Sequence, residues 1–483
     1  MKGNNLKDLE TNIIAWYEFK DNSKILFCGE KKSLAYEYLK SKYKNVEKYN
    51  DECNYTNEYD YIIILKSKIY ETEIRKISSF LKETGIILLS FDNEYGISKF
   101  VTYKYETRIS PLEQIEGNLG KEAIQNILRN KGYKYINTYM PFPNWKRADI
   151  ILSQELESFY DKIDRYFLDY GEDDVIIANE INLLKNISKY DRELFIKLSN
   201  SYLLEISKVP IDTSIKYISF NNYRKPQYSL ITIIKDDIVE KKHGTQEAVA
   251  NIKKIAQNLE ELNKYDFEIL DKYEDGRLYS KYIKGYNTLD IELAKKYNNL
   301  ELVVKKLNEI KEILLKNSIK YNKKDRKNYN KVLNKQSDEI LERLNYLEYA
   351  FYDMVPKNCF YIDNKYYFFD QEWMEKYLPV EFIIYRSIIN SYDLVRKIDA
   401  DELLEKMGIK EYKKLFEEIN EELRKEVLDE ERFKELNKIN RKMYEIVYDY
   451  EVLKIQNKAY KENDMKQNEY IKVLENKVQE NNK

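Results

Sequence analysis

Residues 351–373 read F-Y-D-M-V-P-K-N-C-F-Y-I-D-N-K-Y-Y-F-F-D-Q-E-W. Asp353 is followed by Asn358 and then by Asp370. The pattern predicts a tight hairpin, with strands at 359–362 and 366–369 and Asp363-Asn364 as its turn. A hairpin of that size brings Asn358 and Asp370 to the same end. Two oxygen-bearing side chains with a third acid nearby suit a hard cation such as Mg²⁺ carrying bound phosphates. Phosphoryl transfer needs such a clamp, together with an acid that orients the acceptor hydroxyl. Asp and Asn at hairpin ends also serve as ordinary turn residues that bond their own backbone. Spacing alone leaves both readings open.

The rest of the composition narrows the field. A chain of 483 residues can hold about three domains of roughly 150 residues. Lys and Arg number 82 against 84 Asp and Glu, a net charge of −2, so no basic excess points to nucleic acid. The 46 tyrosines accompany many Asn, Lys and Ile, a bias of AT-rich coding rather than an aromatic binding surface. Cys28, Cys53 and Cys359 are odd in number and show no C-x-x-C spacing, which argues against a disulfide framework and a zinc site. Reduced cytoplasm is the expected compartment. The first ten residues lack a signal-peptide core, and no apolar run is long enough for a membrane span. His243 is the only histidine, which excludes a His-based triad and a multi-His metal site.

Upstream, residues 1–160 alternate short apolar strands (24–28, 45–49, 59–65, 86–91) with helical stretches (33–43, 69–83, and a third from Ser110), with Gly85 ending the second helix. That order predicts a parallel, doubly wound α/β sheet. The pieces W-Y-E-F (16–19), L-K-E-T-G-I-I-L-L-S-F-D-N-E-Y-G (81–96) and M-P-F-P-N-W (140–145) resemble a class I S-adenosylmethionine-dependent methyltransferase. More narrowly, they resemble the Rossmann-like methyltransferase domains of bacterial surface-glycan modification systems. The resemblance implies a cofactor loop at Gly29 and an acid for the ribose hydroxyls, for which Asp51 is the best match. The loop itself, F-C-G-E-K-K-S-L-A (27–35), departs from the family. Only Gly29 remains of its glycines, Phe27 stands where an acid belongs, and Lys31 and Ser33 stand where side chains would crowd the cofactor.

Residues 161–212 read as a helical connector, broken at Pro210 and Asp212-Thr213. Three strands follow at 215–221, 228–234 and 236–244, then a helix from about Thr245 with Gln246 and Glu247 in its first turn, then two more strands. Lys241 and Lys242 alternate along the third strand, so either could point inward. This is the plan of a kinase N-lobe, in which a strand lysine pairs with the phosphates and a helix Glu holds the lysine. Most lysines, by contrast, occupy solvated strand ends. Y-S-K-Y-I-K-G-Y-N-T-L (279–289) resembles the hinge of aminoglycoside- and choline-kinase-like proteins, whose backbone binds the nucleotide base; the resemblance implies Tyr282 as a cofactor-binding residue and Gly285 at the bend. F-Y-D-M-V-P-K-N keeps the Asp, Pro and Asn of that family's catalytic loop, with Phe351 in place of its histidine. F-F-D-Q-E-W stands at its metal-binding Asp. The family's Gly-rich phosphate loop has only N-N-Y-R-K-P (221–226) as a counterpart.

The combined expectation is a doubly wound Rossmann-like methyltransferase domain (1–160), the connector (161–212), an α+β protein-kinase-like domain (213–400) and a helical C-terminal tail (401–483). The kinase resemblance implies Mg²⁺-ATP-dependent transfer to a hydroxyl of a sugar or glycan precursor, and the surface-glycan resemblance of the first domain adds a glycosyltransferase as an expected partner. Asp353 would orient the acceptor, Asn358 and Asp370 would hold Mg²⁺, and Lys241 or Lys242 would hold the phosphates with Glu247 as partner. The competing readings are S-adenosylmethionine-dependent methylation by the first domain and a non-enzymatic scaffold. Residues 290–350 and 400–455 read as largely helical, and 379–389 as an apolar helix packing under the site. The terminal V-L-E-N-K-V-Q reads either as a short coiled coil for self-association or as a frayed tail.

Overall fold

The computed structural model describes residues 6–30, 32–50, 58–104, 119–163, 165–171, 174–262, 265 and 267–440. One end of its sheet is built on two apolar strands, β1 (Lys24–Cys28) and β3 (Tyr59–Leu65), with β2 (Asn45–Lys48) outside β1 and β4 (Leu81–Asp92) beside β3. These four run parallel. Helix α1 (Leu34–Lys42) joins β1 to β2, and α2 (Glu71–Ser78) joins β3 to β4. Alternate side chains of one strand go to opposite faces. Ile25 and Phe27 pack with Ala35 and Leu39 of α1 and with Ile13, Ile14 and Trp16. Leu26 and Cys28 pack with Ile74 and Ile77 of α2 and with Ile124 and Leu128 of α3 (Lys121–Arg129). Apolar side chains on both faces with helices over each is the doubly wound arrangement expected of 1–160. Gly85 lies inside β4 instead of ending the helix, at a point where a Cβ would meet the Asp60 carbonyl at 3.0 Å and the Leu81 side chain.

Beyond β4 the sheet turns antiparallel through β5 (Tyr135–Phe142), β6 (Ile150–Ser153) and β7 (Ser201–Ser207), with β7 set between β4 and β5. This corrects the connector. It contains α4 (Glu180–Tyr190) as expected, but S-Y-L-L-E-I-S is a central strand buried at every position, so the first sheet closes only at Ser207. A run buried on both faces lacks the alternation that distinguishes strand from helix.

The second half supplies β8 (Tyr217–Phe220), β9 (Leu230–Ile234), β10 (Ile238–His243), helix α5 (Val249–Leu262), β11 (Asp271–Glu274) and β12 (Arg277–Lys281). They pair antiparallel in the order β8-β9-β10-β12-β11. Strand β8 also pairs antiparallel with β6, Ile218 opposite Ile151, and this ladder joins both halves into one 12-stranded sheet. A single apolar cluster runs across the junction from Trp16 and Ile151 to Ile218, Ile231 and Ile233.

Against β8–β12 packs a helical lobe whose core is continuous with Leu230 of β9, Ile252 and Ile255 of α5 and Leu278 of β12. It contains α6 (Leu300–Lys316), β13 (Asn345–Phe351), the hairpin β14 (Cys359–Ile362) and β15 (Lys365–Phe368), β16 (Met374–Pro379), α7 (Val380–Ile389) and α8 (Lys413–Val427), while α9 (Glu430–Leu436) reaches the first half through Phe433 on Phe167 and Arg432 on Asp8. The helical expectation for 290–350 fails in its last part, where Asn345–Phe351 pairs with β16. Helix α7 is apolar and buried along most of its length, as the sequence predicts. Residues 441–483, with the coiled-coil reading of the tail, lie outside the described residues. Among the described residues no helix is long and apolar enough to cross a membrane.

Candidate active site

The hairpin folds as its sequence implies. Asp363 and Asn364 both take positive φ, +49° and +61°, the conformation of a two-residue type I′ turn that Asn and Asp tolerate. Cys359 stands opposite Phe368, and the Phe369 amide donates to the Asn358 carbonyl at 3.0 Å. Asn358 and Asp370 therefore meet at the base of the hairpin. Asp370 itself has φ +62°, a left-handed conformation that non-glycine residues adopt rarely and often at functional sites.

Onto this base comes Lys241 of β10. Its ammonium donates to Asp370 Oδ1 and to Glu372 Oε1, the latter at 2.5 Å. Arg224, in the loop between β8 and β9, donates from Nη1 to the other oxygen of Glu372 at 2.7 Å. Burial works against every charge in this cluster. At Glu372 it is outweighed by Lys241 and Arg224, which hold the carboxyl well below its ordinary range. At Lys241 it is outweighed by Asp370 and Glu372, which keep the ammonium protonated. At Asp370 it wins: burial first, with Glu372 and Asp353 adding to it and Lys241 opposing, raises the carboxyl to about 7. Its side chain nevertheless keeps 42% of its surface open, so a ligand can reach it.

Asp353 follows β13. Its Oδ1 accepts from Arg386 Nη2 of α7 at 2.6 Å, and Arg386 also holds the Tyr352 carbonyl and the Asn420 side chain. Asn358 Nδ2 donates to the Asp353 carbonyl at 3.2 Å, and Gln371 Nε2 donates to the same carbonyl at 3.1 Å and to that of Phe369 at 2.8 Å. Gln371 thus ties the loop carrying Asp353 to the hairpin base carrying Asp370. Its Oε1 is buried without a partner among the described residues. A cavity of about 10 Å³ adjoins it, lined in part by Lys241, Asp271, Ser280 and Glu372. That volume admits roughly one water.

Four of the sequence-predicted site residues converge here: Lys241, Asp353, Asn358 and Asp370. Others do not. Glu247 is exposed in the turn before α5, which begins at Val249, and the carboxylate holding Lys241 is Glu372 instead. Lys242 points to the opposite face, where its ammonium donates to the Trp16 carbonyl at 2.7 Å. The alternation of a strand sends neighbours to opposite sides, and β10 gives Lys241 to the site. Tyr282 spends its amide on the Asp237 carbonyl and packs its ring against the core of the first sheet, away from the cleft. Glu372, Arg224, Gln371 and Arg386 were not predicted. Glu372 stands in the quoted F-F-D-Q-E-W and Arg224 in N-N-Y-R-K-P, but only their meeting across the cleft gives them meaning.

The residues at the base of the hairpin fit a hard cation: one carboxylate, one amide oxygen and a neighbouring acid. Among the described residues no group of three or more His, Cys, Asp or Glu has metal-binding geometry, so any ion would depend on Asn358 and on ligand oxygens as well.

The first sheet presents a different picture at the carboxyl ends of β1 and β2, where open α/β sheets bind their cofactors. The Phe27 ring lies against Gly29, with ring carbons 2.7 and 2.8 Å from where a Cβ would stand. Lys48 donates to the Glu30 carbonyl at 2.7 Å and lies 4.9 Å over the Tyr36 ring. Phe27, Tyr36 and Lys48 thereby crowd the turn that an adenosine would need, and the residues present do not fit S-adenosylmethionine. Asp51 lies outside the described residues.

No family model matches the chain. No curated protein matches it either. Solved structures similar to parts of it include a SAM-dependent methyltransferase from Archaeoglobus fulgidus. That likeness has 11% identity over 42% of this chain and 94% of the other, with a TM-score of 0.24. ADP-bound aminoglycoside phosphotransferase APH(2'')-Ib is 14% identical over 43% of this chain and 86% of the other, with a TM-score of 0.27. The gentamicin-bound APH(2'')-IIa is 15% identical over 45% and 90%, with a TM-score of 0.26.

Proposed function

We propose that the second half of the chain is a transferase that moves the terminal phosphoryl group of Mg²⁺-ATP to a hydroxyl, with a sugar or glycan precursor as acceptor. One observation carries this reading: the Lys241 ammonium meets Asp370 at the base of a hairpin that also presents Asn358, with Asp353 beside them. Asn358 and Asp370 would hold the magnesium ion, which supplies charge neutralisation when bound. Lys241 then turns from Asp370 to the phosphates while Glu372 keeps it in place. Asp353 keeps one oxygen on Arg386 and offers the other to the acceptor hydroxyl. The acceptor oxygen bonds to the terminal phosphorus as the bridging P–O bond breaks, and the hydroxyl proton passes to Asp353. A glycosyltransferase partner and a cytoplasmic setting belong to this proposal as its natural context.

A second reading, a scaffold without transfer, is favoured by the closure of the cleft, whose cavity beside Lys241 is about 10 Å³. Titration of the full chain with Mg²⁺-ATP separates the two. A ligand that binds the native state raises the melting temperature. The transferase reading expects a rise that Asp370→Ala abolishes. No rise in the wild type, and no difference in the variant, leaves the scaffold.

A further inference from the structure

The loop at 221–229 lies between β8 and β9, at the edge of the cleft, and offers no glycine to wrap a phosphate. It is fixed instead from the far side. The Lys225 amide donates to the Val427 carbonyl at 2.9 Å, and its ammonium donates to the carbonyls of Lys425 and Glu426, each at 2.8 Å. The Asp429 amide donates to the Tyr223 carbonyl at 3.0 Å, and Arg224 forms a β-bridge with Leu428. The carbonyl end of α8 therefore holds the backbone on both sides of Arg224, and a cation near the end of a helix is favoured by its dipole.

The Arg224 side chain is turned inward. Its guanidinium lies 5.0 Å over the Trp373 ring, and its bonds to Glu372 and to the Tyr228 carbonyl both leave from Nη1. Nε and Nη2 remain for a ligand. Glu372 consequently holds two cations, Lys241 on Oε1 and Arg224 on Oε2. Asp370 is the second anion that balances them. Once Asp370 turns to a metal ion, two cations remain on one carboxylate and the cluster carries an unmatched positive charge. A planar guanidinium beside an ammonium suits the oxygens of a phosphate chain.

We propose that Arg224 is a phosphate ligand. With Lys241 it grips the terminal phosphates of the donor nucleotide, and Glu372 brackets the two cations in place of a glycine-rich loop. This rests on the phosphotransfer reading above. It assigns to a side chain the work that backbone amides do where such a loop is present.

The test is calorimetric titration of the full chain with Mg²⁺-ATP, Mg²⁺-ADP and AMP, on the wild type, Arg224→Gln and Arg224→Lys. Arg224→Gln is expected to weaken Mg²⁺-ATP at least tenfold and AMP less than twofold. Arg224→Lys, which keeps the charge but loses the fork, falls between. Unchanged Mg²⁺-ATP affinity in Arg224→Gln, with a wild type that binds, overturns the role of Arg224 and leaves the phosphotransfer reading standing. Equal weakening of ATP and AMP also overturns it, because that marks a collapsed site. A wild type that binds no nucleotide overturns both readings together. If Arg224→Gln does not fold, competition by magnesium tripolyphosphate against ATP decides on the wild type and Arg224→Lys. Weaker competition in Arg224→Lys supports the proposal, and equal competition defeats it.

Discussion

Lys241 and Glu372 face each other at 2.5 Å across the cleft, one from a strand of the sheet and the other from two residues past the base of the hairpin. The bond ties the sheet to the helical lobe at the point where the chemistry is proposed. Glu372 takes the place that the helix acid Glu247 was expected to fill.

That substitution of partners is measurable. Glu372→Gln should weaken Mg²⁺-ATP binding by about tenfold or more, since a hydrogen bond to a charged group contributes roughly 1.5–3 kcal/mol. Glu247→Ala should leave the affinity within about twofold, as exposed charges contribute little. Calorimetric titration of both variants checks this, and a larger loss in Glu247→Ala would restore the helix acid to the site.

The protonation of Asp370 gives a pH signature. Burial and Glu372 raise its carboxyl to about 7, and a cation binds only the ionised form. Above that value the site is ready, and below it a proton must leave first. Affinity for Mg²⁺ in the presence of ATP should therefore fall by about twofold from pH 8 to 7 and by about fivefold from pH 7 to 6. Magnesium titrations at pH 6, 7 and 8 test the sign. Asp370→Asn should remove both the binding and its pH dependence, and an affinity that rises as the pH falls contradicts the assignment.

The first sheet should be silent toward S-adenosylmethionine. Phe27 crowds the Gly29 turn, and Lys48 crosses the adjoining crevice. Millimolar S-adenosylmethionine or S-adenosylhomocysteine is expected to leave the melting temperature unchanged. A rise of several degrees would show that the turn opens and would return methyl transfer to the candidate activities.

Much of this site was legible because it is local. The turn at Asp363-Asn364, the strands beside it and the meeting of Asn358 with Asp370 follow from a few consecutive residues. Lys241 was legible only to within the alternation of its strand, since sequence does not say which face of β10 looks into the cleft. Glu372 and Arg224 lay outside reach because they are far apart in sequence, and neither quoted stretch says that the two meet across the cleft. Strand β7 was missed for a related reason: Tyr202, Leu203, Leu204 and Ile206 are all buried, so the run has no exposed phase to reveal its period.

The junction between the halves supports one more prediction. Ile218 is fully buried in the cluster that both halves share. Ile218→Ala should cost about 2–5 kcal/mol, the range for emptying such a position. It should lower one common melting transition, seen alike by circular dichroism and by tryptophan fluorescence. Two separated transitions in the wild type would mean that the halves unfold independently.

The ladder between β6 and β8 also fixes how the molecule can move. Twelve strands in one sheet twist as a single ribbon, so the halves have no slack at residues 208–216 with which to swing apart. The hairpin is tied to that ribbon as well: Glu268 and Ile269 pair with Tyr367 and Phe368, and the Gln371 amide donates to Asp271 at the start of β11 at 3.0 Å. Lys241 and Asp370 are thus both anchored to the one sheet, the first within β10 and the second through the hairpin that abuts β11. Their spacing is then set by the sheet itself, and torsion along the first sheet reaches both partners together.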